Sequence, residues 1–326
     1  HALAGGAPPD VDYVSGWHCT REVRTGKMAT TSYDFERPST PLAAEQTHAR
    51  SHSLDDYELF DFEGDYTQKP DGQHIADVRM DEQQARFERV AGQTNARALA
   101  VGHLFKLERH PRADQNAQYL CAQLSISAHL AAYESGTGTG GSAGGGGGGE
   151  SDFQCQFTAA PSSQTWRPER RTPKPFVQGP QTAVVVGPAG EEIFTDKYGR
   201  VKVHFHWDRL SKKNEKSSCW VRVSTPWAGK SFGFVQIPRI GQEVVVDFLE
   251  GDPDQPIITG RVYNAEQMPP WELPANATQS GVLTRSSKGG AYGNANAIRF
   301  EDKKGDEQLW IHAEKNMDIE VENDET

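Results

Sequence analysis

Residues 301–326 read EDKKGDEQLWIHAEKNMDIEVENDET. Leu309 and Ile311, then Met317, Ile319 and Val321, recur at every second position, and Asp318, Glu320 and Glu322 fill the alternate places of the later run. Successive side chains of a strand point to opposite faces. The segment therefore predicts extended chain with one apolar and one acidic face. It carries ten carboxylates and three lysines, a surplus of seven negative charges, where the whole chain has a net charge of −11. An isolated strand cannot bury such a stripe by itself. The rest of the chain offers it no obvious partner, so the expected cover is the same segment from other subunits, gathered round a shared axis. Their common apolar core must outweigh the mutual repulsion of the acidic exteriors. Leu309, Ile311, Met317, Ile319 and Val321 are the candidate core of that assembly.

Working outward from this segment, residues 264–300 are turn-rich, with Met268-Pro269-Pro270 and the Gly289-Gly290 pair. They predict a neck that holds its shape against other surfaces. Residues 182–263 carry the clearest strand pattern, with candidates at 182–186, 200–207, 219–225, 233–237, 243–248 and 257–262. Turns are expected at Tyr198-Gly199, 226–230, Ile240-Gly241 and 251–254. Several short strands in so little chain fit a small closed barrel of the OB type, whose closure removes sticky edges. Residues 160–181 hold Pro161, Pro168, Pro173, Pro175 and Pro180 and read as an extended linker.

Residues 1–159 mix signals. Strands are expected at 11–19 and 27–35, and irregular polar chain between about 40 and 66. Ile75, Val78, Met80, Ala85 and Phe87 recur at helical spacing, which predicts one helix over 75–89. Strands follow at 104–107 and 119–129, the latter with Leu120, Ala122, Leu124 and Ile126 on one face. Phe153, Cys155 and Phe157 alternate again. Between them lies a Gly-rich stretch, 134–151, with six consecutive glycines at 144–149. Ordering it would cost too much entropy, so a long antiparallel hairpin with a disordered tip is expected. No GK[ST] follows the glycines, so they are not a phosphate loop.

An acidic chain argues against nucleic acid, which demands clustered Lys and Arg. No apolar run approaches the roughly 20 residues of a membrane helix. Cys19, Cys121, Cys155 and Cys219 are far apart and form no CxxC. They read as free thiols, with a Cys121–Cys155 disulfide as the alternative if strand register brings them face to face. His204 and His206 share a strand face, and Asp208 is near, but no third metal ligand is evident. They read as barrel-surface or interface histidines. His18 and Cys19 are adjacent on a strand, point to opposite faces, and cannot form a local dyad. EGDPDQP (250–256) reads as a stiffened turn rather than a calcium loop. Arg167, Arg170, Arg171 and Lys174 read as a strap that docks on an acidic neighbouring subunit. Trp207, Trp220 and Trp227 read as core or subunit-interface packing, with a sugar-gripping face as the alternative.

Several stretches resemble a known family. EEIFTDKYGRVKVHFHWDR (191–209), SSCWVRVSTPWAGKSFGFVQIPRIGQEVVVDFLEGDPDQPIITGRVYN (217–264) and RSSKGG (285–290) resemble the barrel region of VgrG proteins, the spikes of type VI secretion systems. IRFEDKKGDEQLWIHAEKNMDIEVENDE (298–325) resembles the start of that family's needle. SYDFERPS (32–39) and LERHPRADQNAQYL (107–120) are similar to its hub domain. The hub lacks a counterpart to its N-terminal half, and the needle stops after its first strands. The resemblance implies a mainly β chain in five parts. These are the C-terminal part of a phage-hub-like, barrel-type domain with one helix (1–159), the linker (160–181) and an OB-fold barrel (182–263). The neck (264–300) and the start of an intertwined trimeric β-helix needle (301–326) complete it. It implies a homotrimeric puncturing spike with no enzymatic activity, cofactor or metal. Its implied partners are an Hcp tube at the hub end, a PAAR-type tip protein, and effectors or adaptors. A target-cell membrane is pierced mechanically and no nucleic acid is bound. Such a spike is assembled in the bacterial cytoplasm and delivered outside without a signal peptide. The alternatives are a phage-tail-like hub whose OB barrel binds a glycan, and a metallohydrolase built on His204 and His206.

Overall fold

The computed structural model describes residues 11–62, 64–129 and 152–323. The chain divides into two compact units, 1–171 and 172–326.

The longer strands of the first unit form where β-branched and aromatic residues alternate with polar ones. In chain order these are β1 (Val14–Arg21), β2 (Lys27–Thr31), β3 (Ala44–Thr47) and β4 (Glu58–Phe62). Helix α1 (Lys69–Gln84) follows, then β5 (Glu88–Thr94), β6 (Leu104–Lys106), β7 (Gln118–His129) and β8 (Asp152–Pro161). One antiparallel sheet runs β1-β5-β8-β7-β6, and a smaller one runs β3-β2-β4. The larger sheet buries Val90, Leu107, Tyr119, Cys121, Phe157 and Ala159, with Trp17 packed against them. Gly92 is required there, because a Cβ on it would come within 2.5 Å of the Phe157 ring. Buried Gln115 ties the layer together. Its side-chain oxygen accepts the Trp17 indole N–H at 2.9 Å, and its carbonyl accepts the Tyr119 hydroxyl at 3.0 Å.

The structure differs from the sequence expectations at three places in this unit. Residues 40–66 are not wholly irregular, because β3 and β4 flank β2, with β4 parallel to it. These strands are short and pair non-locally, so local pattern gives them little signal. The helix lies at Lys69–Gln84 rather than 75–89. Pro70 lies in its first turn, where a fixed φ and a missing N–H are tolerated, and the helix buries the small residues Gly72 and Ala76 along with Met80. Phe87 lies beyond the helix, under the Arg50 guanidinium at 3.9 Å, and the chain has already turned into β5. On β7 a bulge between Cys121 and Gln123 changes the parity. Tyr119 and Cys121 face the core before it and Leu124 after it, while Ile126 is exposed.

The β7–β8 hairpin is present, with register running from Tyr119↔Pro161 to His129↔Asp152. Its expected disordered tip, 134–151, lies outside the described residues. The register sets Cys121 opposite Ala159 and Cys155 opposite Ile126, so the two thiols do not face each other. All four cysteines are free.

The second unit opens with β9 (Gln181–Val186), β10 (Lys202–Phe205), β11 (Arg222–Val223), β12 (Glu243–Phe248) and β13 (Pro256–Val262). Their order is β10-β9-β12-β13-β11. Mutual backbone bonds between Val201 and Val221, at 3.0 and 2.8 Å, join the two ends. The result is a closed five-stranded barrel. Its interior is small and branched: Ala183, Val185, Val201, Val203, Val221, Val244, Val246 and Ile258, all essentially inaccessible to solvent. The expected strand at 233–237 is absent. That stretch instead closes a tight hairpin through an Ala228↔Gly233 bridge. Beyond the barrel, β14 (Gln279–Leu283), β15 (Ala297–Glu301) and β16 (Gln308–His312) form an antiparallel sheet in that order.

Candidate functional site

The β14–β15–β16 sheet has two unlike faces. Register places Val282, Ile298 and Ile311 side by side across the three strands, and Ser280, Phe300 and Leu309 in the next row. Every apolar member of this face is exposed, with Leu309 at 60% and Ile311 at 50%. The reverse face is closed by its own contacts. Arg299 lies over the Trp310 ring at 5.0 Å and donates to the Gln308 amide oxygen at 2.9 Å. His312 stacks on Trp310 and meets the Ala295 carbonyl at 2.9 Å. Direct cross-strand neighbours are close enough to act as one surface. A contiguous apolar sheet face of this kind marks an interaction site rather than ordinary surface.

The sheet is fixed to the barrel beside it. The Lys288 ammonium pairs with Glu191 at 2.8 Å. Gly289 N–H donates to Glu192 at 2.6 Å, and the Arg239 guanidinium donates to the Arg285 carbonyl at 2.7 Å. The Gly289 amide, together with Ser287 and the nearby Arg239 and Lys288, holds the Glu192 carboxyl below its usual range.

Of the residues singled out from sequence, Leu309 and Ile311 are brought together on this face. Met317, Ile319 and Val321 lie in no strand of the single chain and are exposed. Extended chain without a partner has no ladder to hold it. The sequence reading missed Val282, Ile298 and Phe300. The signal for the last two was present in IRF (298–300), where Ile298 and Phe300 continue the period-two stripe upstream.

Three family descriptions match successive parts of the chain. They are the phage tail baseplate hub over residues 1–131, the type VI secretion system/phage-baseplate injector OB domain over 183–263, and the bacteriophage T4 gp5 C-terminal trimerisation domain over 280–326. The type VI secretion system spike protein VgrG1b of Pseudomonas aeruginosa is 57% identical over 315 residues, which is 97% of this chain and 41% of that protein. The chain belongs to the VgrG family of type VI secretion spike proteins. The actin cross-linking toxin VgrG1 of Vibrio cholerae is 39% identical over 327 residues, 100% of this chain and 29% of the toxin. The VgrG chain thus spans less than half the length of these curated relatives. A solved structure of the E. coli c3393 protein, a component of a type VI secretion system, has a TM-score of 0.45 at 18% identity. It covers 78% of this chain and 48% of that one, a likeness too slight to carry an argument.

The remaining candidate groups of the VgrG chain are occupied by local contacts. His204 is buried and its Nδ1 meets the Ser211 hydroxyl at 2.8 Å, whereas His206 Nε2 meets the Thr182 hydroxyl at 3.1 Å. The two rings thus serve different partners, and among the described residues no three His, Cys, Asp or Glu are placed to hold a metal. A hollow of about 460 Å³ on the larger sheet of the first unit is lined by neutral side chains such as Gln93, Gln123 and Gln156, with His18 its lone titratable group. Burial pushes the neighbouring Cys19 thiol up, away from the thiolate that a nucleophile needs. The turn at 250–256 is organised by Asp252, which accepts the Asp254 N–H at 2.9 Å and the Lys174 ammonium at 2.5 Å.

The basic strap is a correction. Arg167 pairs with Asp81 at 3.5 Å, Arg170 with Asp61 at 3.9 Å, and Lys174 with Asp252. These cations are met by carboxylates of their own chain, so docking on an acidic neighbour is not needed to explain them. Trp207 and Trp227 are not core residues, being 65% and 64% exposed. Trp220 is half-buried, against Phe194 at 4.9 Å and beneath the Lys202 ammonium.

Proposed function

We propose that this VgrG chain is a subunit of a homotrimeric, non-enzymatic puncturing spike. The observation that carries the reading is the exposed apolar face of β14–β16. It lies within the segment that matches a trimerisation domain and runs on into Met317, Ile319 and Val321. Three copies of that stripe, turned toward one axis, bury what a single copy leaves in water, at roughly 25 cal/mol per Å² of apolar area removed. Around the axis the strand edges pair between chains, so fraying at one point must break bonds to two partners. Such a rod resists bending under one axial thrust.

On this reading the hub end sits on an Hcp tube. The needle end carries a PAAR-type tip protein and effectors or adaptors across envelopes. The particle is assembled in the bacterial cytoplasm and then delivered outside or into a target cell. No helix among the described residues is long and apolar enough to cross a membrane, consistent with passage by force rather than insertion. The test is the mass of the native particle by light scattering on the full-length parent protein at micromolar concentration. Three chains per particle are expected. A folded monomer overturns the reading.

A further inference from the structure

The connection between β11 and β12 raises a second apolar surface, on the barrel rather than on the needle sheet. Residues 226–235 read PWAGKSFGFV. Trp227 is 64% exposed and Val235 is 82% exposed, and Phe232 and Phe234 are exposed beside them. This is not loose chain. Gly229 N–H donates to the Phe232 carbonyl at 2.8 Å, and Phe234 N–H to the Trp227 carbonyl at 2.9 Å. The Trp227 and Phe232 rings meet edge to face at 5.6 Å. Gly233 is needed, and Gly229 lets the Phe232 ring lie close over the backbone. A Cβ on Gly229 would come within 2.3 Å of the Phe232 ring, and Gly233 has φ of +140° with the Trp227 carbonyl 2.5 Å from any Cβ. The hairpin is thus a preorganised aromatic tongue, held rigid yet left in water. Rigid aromatic anchors of this kind dominate interfaces, because little side-chain freedom remains to be lost on docking.

We infer that the tongue docks on a second copy of this chain, making a contact within the trimer that is separate from the needle stripe. The inference rests on the trimeric reading above. Two observations choose the occupant. The tongue is continuous with the neck: Ile237 packs on the barrel core, and Arg239 bonds Glu192 and the Arg285 carbonyl. Val235 is four residues from Arg239, within roughly 14 Å of that residue's Cα even if fully extended. A tongue rooted there is tied through Arg239 to residue 285, inside the segment that matches a trimerisation domain. Charge also matches. Residues 226–242 contain no carboxylate, and with Arg239 paired to Glu192 of its own chain Lys230 is the cation the tongue presents, whereas residues 301–326 carry a surplus of seven negative charges. An adjacent copy supplies both the apolar area and the complementary charge.

The test uses the purified full-length protein without cargo. Light scattering first establishes the number of chains. Hydroxyl-radical footprinting then reads the oxidation rate of Trp227 and Phe232 in the particle and in the denatured chain. If the particle is a trimer and both rings react at least fivefold more slowly than when denatured, the docking is supported. A monomer sinks the functional reading itself. A trimer whose Trp227 reacts as fast as in the denatured chain overturns the tongue contact alone. In the same experiment, Trp227 that is reactive in the trimer but protected on phosphatidylcholine–phosphatidylglycerol vesicles assigns the tongue to lipid, and again overturns it. Val235→Glu provides the second readout, since a residue so exposed tolerates the change in the single chain. At least a tenfold rise in the trimer's dissociation midpoint is expected, with unchanged circular dichroism. An unchanged midpoint counts against the docking.

Discussion

At the scale of single residues, charge fixes the turn that connects β12 to β13. Asp252 is buried to 6% exposure at the turn that connects β12 to β13. Burial opposes its ionisation, but Lys174, the Asp254 N–H and the Gln255 amide outweigh burial, and its carboxyl sits below the usual range. A depressed native value makes this a stabilising contribution that is complete above the unfolded carboxyl range, near about pH 4, and lost as pH falls through the lowered native value. Asp252→Ala is expected to lower stability by about 2 kcal/mol at pH 7, through the loss of several hydrogen bonds. It should also flatten the acid limb of stability below about pH 4. Thermal melts of both proteins from neutral to acid pH check this. Equal acid sensitivity would mean that other carboxylates govern it. The role of Asp252 was half visible in the sequence, which marked the turn but not the Lys174 partner, 78 residues away.

At the scale of elements, alternation decides faces until a bulge intervenes. The stripe of β16 was read correctly because nothing interrupts it. On β7 the single extra residue at Ala122 exchanges the two faces, and no local pattern announces it. The needle stripe carries the strongest element-scale prediction. In the proposed trimer, Ile319→Asp and Ile311→Asp would each place three carboxylates at the shared axis. Each is expected to weaken assembly by several kcal/mol, because unpaired charge is costly to bury. Both residues are exposed in the single chain, so its circular dichroism should not change. A trimer of either variant with an unaltered melting temperature would show that the side chain does not face inward.

At the scale of the whole molecule, the balance lies between apolar burial and like charge. In the proposed trimer each copy brings a C-terminal segment with seven surplus negative charges, and three such segments would be gathered together. Salt screens that repulsion over about 10 Å at 0.1 M and strengthens apolar burial little at the same concentration. Raising sodium chloride from about 0.05 to 0.5 M should therefore tighten the trimer, seen by sedimentation as a lower dissociation midpoint. Loosening by salt would mean that ion pairs between copies, rather than the stripe, hold the particle together. The same measurement bears on the tongue, whose positive charge would contribute the opposite, salt-weakened component.

The sequence by itself determined the mainly β class, the barrel, the presence though not the bounds of a helix, the long hairpin and the shared face of Leu309 and Ile311. Each follows from short-range periodicity, which is written residue by residue. Tertiary structure alone decided the β3-β2-β4 sheet, the face of β7, the separation of Cys121 from Cys155, and the pairing of the strap's cations within the chain. It also decided that the expected strand at 233–237 is absent and that 226–235 forms an exposed aromatic tongue. These depend on which distant segments meet and in what register, and register is set by the sum of many contacts rather than by any local run of residues.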